Sequence, residues 1–320
     1  MDIDRLLKIS GITPEIARRT VRNRCRLSPN FPSTPRQMIG WLVLGVLATT
    51  SLGFALTPQT DAALARLKPA TIQAFQQYVQ LTDAQHSPEL LHSPAFLWVD
   101  ALPDVERARA IAELASGSVK IKRLETRDDG HAILCPHGLI HHWVGVIFVP
   151  GARLEDILRV LQDYDHHAKY YTPDVQRSKL LARNGDDFRV FLRFRRKKVV
   201  TVILNTEHQI HYTRLDLARA TSRSSATRIA EVQAPDKRDE REKAPGDDGG
   251  YLWRMETWWR IIERDGGTYV QCESASLTRD IPAGLGWLVG PFVNSIPRES
   301  LTFTLEATRR QLTEAGSNRH

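Results

Sequence analysis

Cysteine is scarce in this chain. Cys25, Cys135 and Cys272 are too few and too scattered for a disulfide framework or a cysteine-built zinc site. Cys272 stands in an alternating, strand-like run, where a small buried hydrophobe is its expected role. Also missing are a P-loop, a dinucleotide fingerprint, a nucleophile elbow and an HExxH pair, so no motif announces phosphate, nicotinamide, acyl-transfer or zinc chemistry. Neither an internal repeat nor a heptad occurs, which excludes solenoids and coiled coils. Basic residues come without an RNP-like aromatic pattern, so nucleic acid is not an expected partner.

One local absence is informative. Residues 39–56, IGWLVLGVLATTSLGFAL, contain no charge. Eighteen apolar residues sit at the short end of a membrane-spanning helix and above the usual length of a signal-peptide core. Arg5, Lys8, Arg18, Arg19, Arg22, Arg24, Arg26 and Arg36 precede the run against three acids, the distribution of an N-in orientation. Gly53 and Ala55 offer small residues for cleavage after Ala55. Export is therefore expected, through a cleaved signal or an uncleaved anchor. Met38 stands just before the run as an alternative start, and residues 1–37 would then be untranslated.

The remainder is ordinary for a globular chain of 320 residues, with 42% hydrophobic and 25% charged residues. The net charge of +7 lies mostly in the N-terminal region. Apolar spacing predicts helical character over 60–81, broken near Pro69, and a second short helix from Pro103 to Gly117. The period then becomes two. Strands are expected over 118–126 and 138–149, an amphipathic helix over 152–163, and six strands over 175–183, 187–195, 198–213, 219–233, 251–264 and 267–279. Residues 234–250 form a mixed-charge loop, flexible by composition. The end is helical: 284–294, then a longer helix from Pro297.

The phrases GLIHHWVGVIFVPGA, LQDYDHHAKYYTPDV and SLTRDIPAGLGWLVGPFVNSIPRESL, in this order of elements, resemble START-type lipid-binding domains of the SRPBCC superfamily. The resemblance covers about residues 117–315 and rests on architecture and loose motifs. It implies an α+β helix-grip fold, a curved antiparallel sheet wrapped around a long C-terminal helix. It also implies a cavity between them for a lipid-like molecule, with no cofactor. Preceding that domain would be a basic region (1–37), a signal or anchor (38–56) and a helical lead-in (57–116).

Alternation nominates the cavity lining. Phe188, Val190, Leu192 and Phe194 share one parity of a strand, and Trp253, Met255 and Trp259 one parity of another. The opposite parity, carrying Arg189, Arg193, Arg195, Arg254, Glu256, Trp258 and Arg260, is mostly charged and expected to face solvent. Trp287 and Phe292, among glycines 284, 286 and 290, are expected at a gate or cavity wall. The cluster Arg193, Arg195, Arg196, Lys197 and Lys198 is either a charged strand end or a contact for an anionic membrane surface.

The expected function is non-catalytic binding or transfer of a hydrophobic small molecule or lipid. A polyketide cyclase or aromatase using the same cavity is the alternative, with Glu256 and Glu273 as a possible acid/base pair. A plain interaction protein with a filled core is a third reading. The run from Asp163 to His167 and the pair His141 and His142 hold metal-ligand types but not the spacing of a closed site, and no metal is expected.

Overall fold

A computed structural model describes residues 65–86, 93–197, 201–281 and 286–317, apart from the side chains of residues 65, 286–294 and 314–317. The apolar run 39–56 and the basic region before it lie outside the described residues. From residue 65 onward the described residues form one unit, so the described part of the helical lead-in belongs to the same body as the sheet.

Helix α1 (Pro69–Ala84) and helix α2 (Asp104–Ala115) come first. Strands β1 (Lys120–Arg123) and β2 (Gly138–Pro150) follow, then helix α3 (Leu154–Gln162). Six strands complete the sheet: β3 (Val175–Asn184), β4 (Asp187–Lys197), β5 (Thr201–Arg214), β6 (Arg219–Gln233), β7 (Arg254–Arg264) and β8 (Gly267–Arg279). Helix α4 (Gly286–Ser317) is the last described element. The sheet order is β1-β2-β8-β7-β6-β5-β4-β3, with every pairing antiparallel. This is the helix-grip fold: one open, strongly bent sheet with α4 against its concave face.

Gly145 explains how closely α4 approaches. A Cβ there would stand 2.5 Å from Leu305 Cδ1 and 3.1 Å from Ile121 Cδ1, so only glycine admits the helix at that crossing. Leu301, Leu305 and Leu312 recur on one face of α4 and enter a core with Ile147, Val149, Ile261 and Val270. Contrary to the expected break at Pro297, α4 is one continuous helix of 32 residues.

The convex face is covered rather than solvated. Thr71, Ala74, Phe75, Tyr78 and Thr82 make the buried stripe of α1, at helical spacing. Phe75 and Tyr78 pack on Trp258, Ala275 and Leu277. Phe96, Leu97, Val99, Ala110 and Leu114 cover Val146, Phe148 and Tyr269. Polar clamps fix this layer: Trp98 N–H donates to Gln271 Oε1 at 2.8 Å, Arg260 Nη1 donates to the Phe96 carbonyl at 2.8 Å, and Arg264 pairs with Asp100. Trp258, Glu256 and Arg260 therefore lie beneath the N-terminal segment, where alternation alone had placed them in water.

Residues 234–250 are likewise held. Arg241 and Glu242 pair with the end of β6, and Asp247 and Asp248 pair with Arg66 and Ala65.

Candidate functional site

The cross-strand register decides which side chains meet on the concave face. Trp259 stands opposite Cys272 and Ser222, Thr257 opposite Ser224, and Val190 opposite His208. Phe188, Val190, Leu192, Phe194, Met255 and Trp259 thus share that face, facing α4.

Their burial divides the face in two. Toward the turn of residues 215–218, Phe188, Val190, Ile210, Tyr212, Ile261 and Val270 are at most 6% exposed. There α3 supplies Leu154, Ile157 and Leu161, and the hydroxyls of Tyr164 and Tyr212 bond at 2.7 Å. That end is sealed. Toward the other end, Leu192, Phe194, Met255 and Trp259 are only partly buried, as is Phe303 of α4. Leu192 and Phe194 cluster with Phe303, Trp259 packs on the core that holds Leu301 and Leu305, and Met255 clusters with Leu204, Ala226 and Ile229. Large apolar groups in that position stay accessible only where neighbouring side chains leave room.

A polar belt crosses the middle of the face: Thr206, His208, Ser222, Ser224, Thr257 and Ser276, all under 9% exposed. His208 Nε2 lies 2.9 Å from the Thr206 hydroxyl, which donates to the Leu192 carbonyl. Burial pushes His208 down to about 4, so the ring is neutral near pH 7. Periodicity overlooks this belt, because serine and threonine on a strand read equally well as solvent-facing.

Trp253 stands apart from the lining. It precedes β7, packs with Phe75, Tyr78 and Trp258 under α1, and its indole N–H donates to Asp248 at 3.0 Å. The chain curls there before entering the strand, and parity fails outside regular β structure. Trp287 and Phe292 occupy the opening turns of α4, with side chains outside the described residues.

Glu256 and Glu273 are near each other but on the convex face, away from the concave lining. Glu256 is held by Arg223 and by the Ser225 hydroxyl at 2.6 Å. Glu273 is 5% exposed and sits between His142 Nε2 at 2.8 Å and His86 Nε2 at 3.2 Å. Because a carboxylate only accepts, His142 Nε2 must carry a proton. His142 Nδ1 lies 2.9 Å from the Tyr78 hydroxyl, and that oxygen accepts the Thr126 N–H at 2.8 Å. Burial disfavours ionisation of Glu273, but the bonds from His142 and His86 outweigh it and hold the carboxyl down at about 2. The group ties α1 to the sheet; it faces no reactant space between sheet and α4.

His141, on the other face from His142, lies 3.1 Å from the Thr278 hydroxyl. Asp163 accepts from the Tyr170 hydroxyl and His166, while His167 packs tilted against Tyr164 and edge-on against Tyr171. Among the described residues no three such groups converge as for a metal ion.

The basic cluster is smaller than its sequence suggests. Arg193 is 2% exposed and forks onto Glu240, at 2.8 and 2.9 Å. Arg196 pairs with Asp174 at 2.7 Å. Half-buried Arg195 and exposed Lys197 remain at the strand end, and Lys198 lies outside the described residues.

No family model matches this chain, and no curated protein does. Solved structures give weaker likenesses. The chain is similar to a STAR-related lipid transfer protein (fragment 25–204) from Xanthomonas axonopodis at 21% identity, over 61% of this chain and 93% of that one, TM-score 0.42. It is similar to human STARD10 at 12% identity, over 65% and 80%, TM-score 0.38. A third is the Zhui aromatase/cyclase from Streptomyces sp. R1128, at 15% identity over 55% and 94%, TM-score 0.35. The likeness is one of fold.

Proposed function

We propose that this protein is a non-catalytic carrier that holds a mainly apolar molecule between the concave face and α4, on the outer side of a membrane to which residues 38–56 direct it. One observation carries the reading: Leu192, Phe194, Met255, Trp259 and Phe303 remain partly accessible, while Phe188, Val190, Ile261 and Val270 at the opposite end of the same face are packed out of water. Burying about ten methylenes of a ligand there contributes roughly 8 kcal/mol before association costs are subtracted. The belt around His208 and Thr257 would meet a hydroxyl or carbonyl on an otherwise apolar molecule, since groups under 9% exposed gain from a polar partner. The uncharged run 39–56, behind a basic region, supports the location.

Native mass spectrometry of the protein from its own host tests the carrier reading. A bound mass of lipid-like composition is expected. Leu192→Trp, which fills the accessible end, should lose that mass while keeping a cooperative unfolding transition. Retention of the full mass by a folded Leu192→Trp variant places the ligand elsewhere and overturns the reading.

A further inference from the structure

The same end of the sheet that leaves the lining accessible is the end at which the chain enters the fold. Ala65 and Arg66 pair with Asp248 and Asp247, and the Leu67 N–H donates to the Gly246 carbonyl at 2.7 Å. A few residues on, the Arg279 N–H donates to the Gly250 carbonyl at 2.8 Å, and Arg279 is the last residue of β8, opposite Gly138, the first of β2. The accessible ends of β2, β4, β7 and β8 and the incoming chain therefore share one pole.

Between Leu56, where the uncharged run ends, and Ala65 there are eight residues, 57–64. Fully extended, they reach at most about 29 Å. Strand β2 is 13 residues long, so the two poles of the sheet are roughly 40 Å apart. If the run stays in the bilayer, the sealed pole cannot touch the membrane, because that would need a tether longer than its contour length. The accessible pole can.

From this we infer that the protein docks on a lipid bilayer through its accessible pole, with the short tether imposing the orientation. The inference rests on the proposed membrane location, in its uncleaved form. The surface chemistry of the pole fits a headgroup layer. Leu134 is 84% exposed, just before β2, and Tyr251 is 37% exposed with the Arg279 guanidinium 5.8 Å from its ring centre. Arg66, Lys68 and Lys197 are exposed at the same pole, interspersed with exposed Asp236, Asp239 and Asp280. A tyrosine with basic neighbours is the interfacial composition of membrane-associated proteins, and the cations favour anionic lipid. Docked this way, an apolar ligand passes between bilayer and grip without crossing water.

The test uses the full chain in vesicles of phosphatidylcholine with phosphatidylglycerol. In a background with Cys25, Cys135 and Cys272 replaced, Leu134→Cys or Leu217→Cys takes a donor dye, and the headgroups carry an acceptor. Both positions are exposed, at 84% and 92%, so labelling leaves the core alone. The chain should float with the vesicles, and energy transfer from position 134 should exceed that from 217 several-fold. A long Gly/Ser insert after Thr60 should erase the difference. Failure to float removes the membrane reading and this inference with it. Flotation with equal or reversed transfer overturns the inference alone, and a difference that survives the insert overturns the tether as its cause.

Discussion

At Glu273 a carboxylate is taken almost wholly out of water, and two imidazoles compensate it. Removing the charge from such a buried, hydrogen-bonded group costs about 3 kcal/mol. Glu273→Gln should lower the unfolding free energy by that amount at pH 7, read from denaturant midpoints. The sign with pH follows from the depressed pKa. A carboxyl at about 2 in the folded protein, below its ordinary value of 4.5, contributes stability that is present above 4.5 and lost as pH falls from 4.5 toward 2. The gap between wild type and variant should close over that window; a constant gap would show that charge is irrelevant there. The neighbouring pair Trp258 and Trp259 shows the limit of reading such residues in sequence. Adjacent strand residues face opposite ways, and the charged parity of Arg254, Glu256 and Arg260 assigns Trp259 to the lining, but it puts Trp258 in water, where the structure buries it. What decides is α1, whose Asp83 accepts from the Trp258 indole at 2.6 Å, a contact across 175 residues that no local pattern encodes.

Among the elements, α4 and the segment from residue 234 to 248 carry the sharpest expectations. Gly145→Val drives a branched side chain into Leu305 and Ile121. Overpacking of this kind costs about 2 kcal/mol, equivalent to a fall of roughly 4–8 °C in Tm for a domain of this size. An unchanged Tm would mean that helix and sheet separate freely. The strands, α2 and α3 were legible because periods of two and 3.6 are written in apolar residues. The stripe of α1 was not, since Thr71 and Thr82 are polar and bury their hydroxyls against the Pro136 carbonyl and Thr126. Residues 234–250 read as flexible for a related reason: composition counts charges but not partners. Arg193, 47 residues from Glu240, fastens that segment, with Glu240 held down at about 2 by the guanidinium and by the Asp236 N–H. Arg193→Ala should open residues 236–243 to limited proteolysis at a protease level that spares the wild type. Equal cleavage of both would show that the strand pairing of Arg241 and Glu242 suffices.

Over the whole molecule, three of the four buried histidines among the described residues shape the acid response. His141, His167 and His208 are each pushed to about 4, in every case chiefly by burial. An unfolded histidine titrates near 6.5, so the unfolded chain binds more protons between 6.5 and 4, and stability falls as pH drops through that range. Urea midpoints should decline steadily from pH 7 to about 4.5, before the loss at Glu273 begins; a flat profile from 7 to 5 would contradict the neutral, buried rings. The overall architecture was legible because six strands followed by a helix leave few ways to cover one sheet. The division of labour between its faces was not, because the 65–115 segment that covers the convex side packs through clamps such as Arg264 with Asp100, set by the fold and not by spacing. The carrier reading requires one end of the concave face to stand open under α4 for an apolar guest. A crystal structure of protein taken from its own host without delipidation tests it most directly. Elongated density is expected to run along Leu192, Phe194, Met255 and Trp259 to the belt at His208. Those four side chains closed against α4, with no density between, would contradict it.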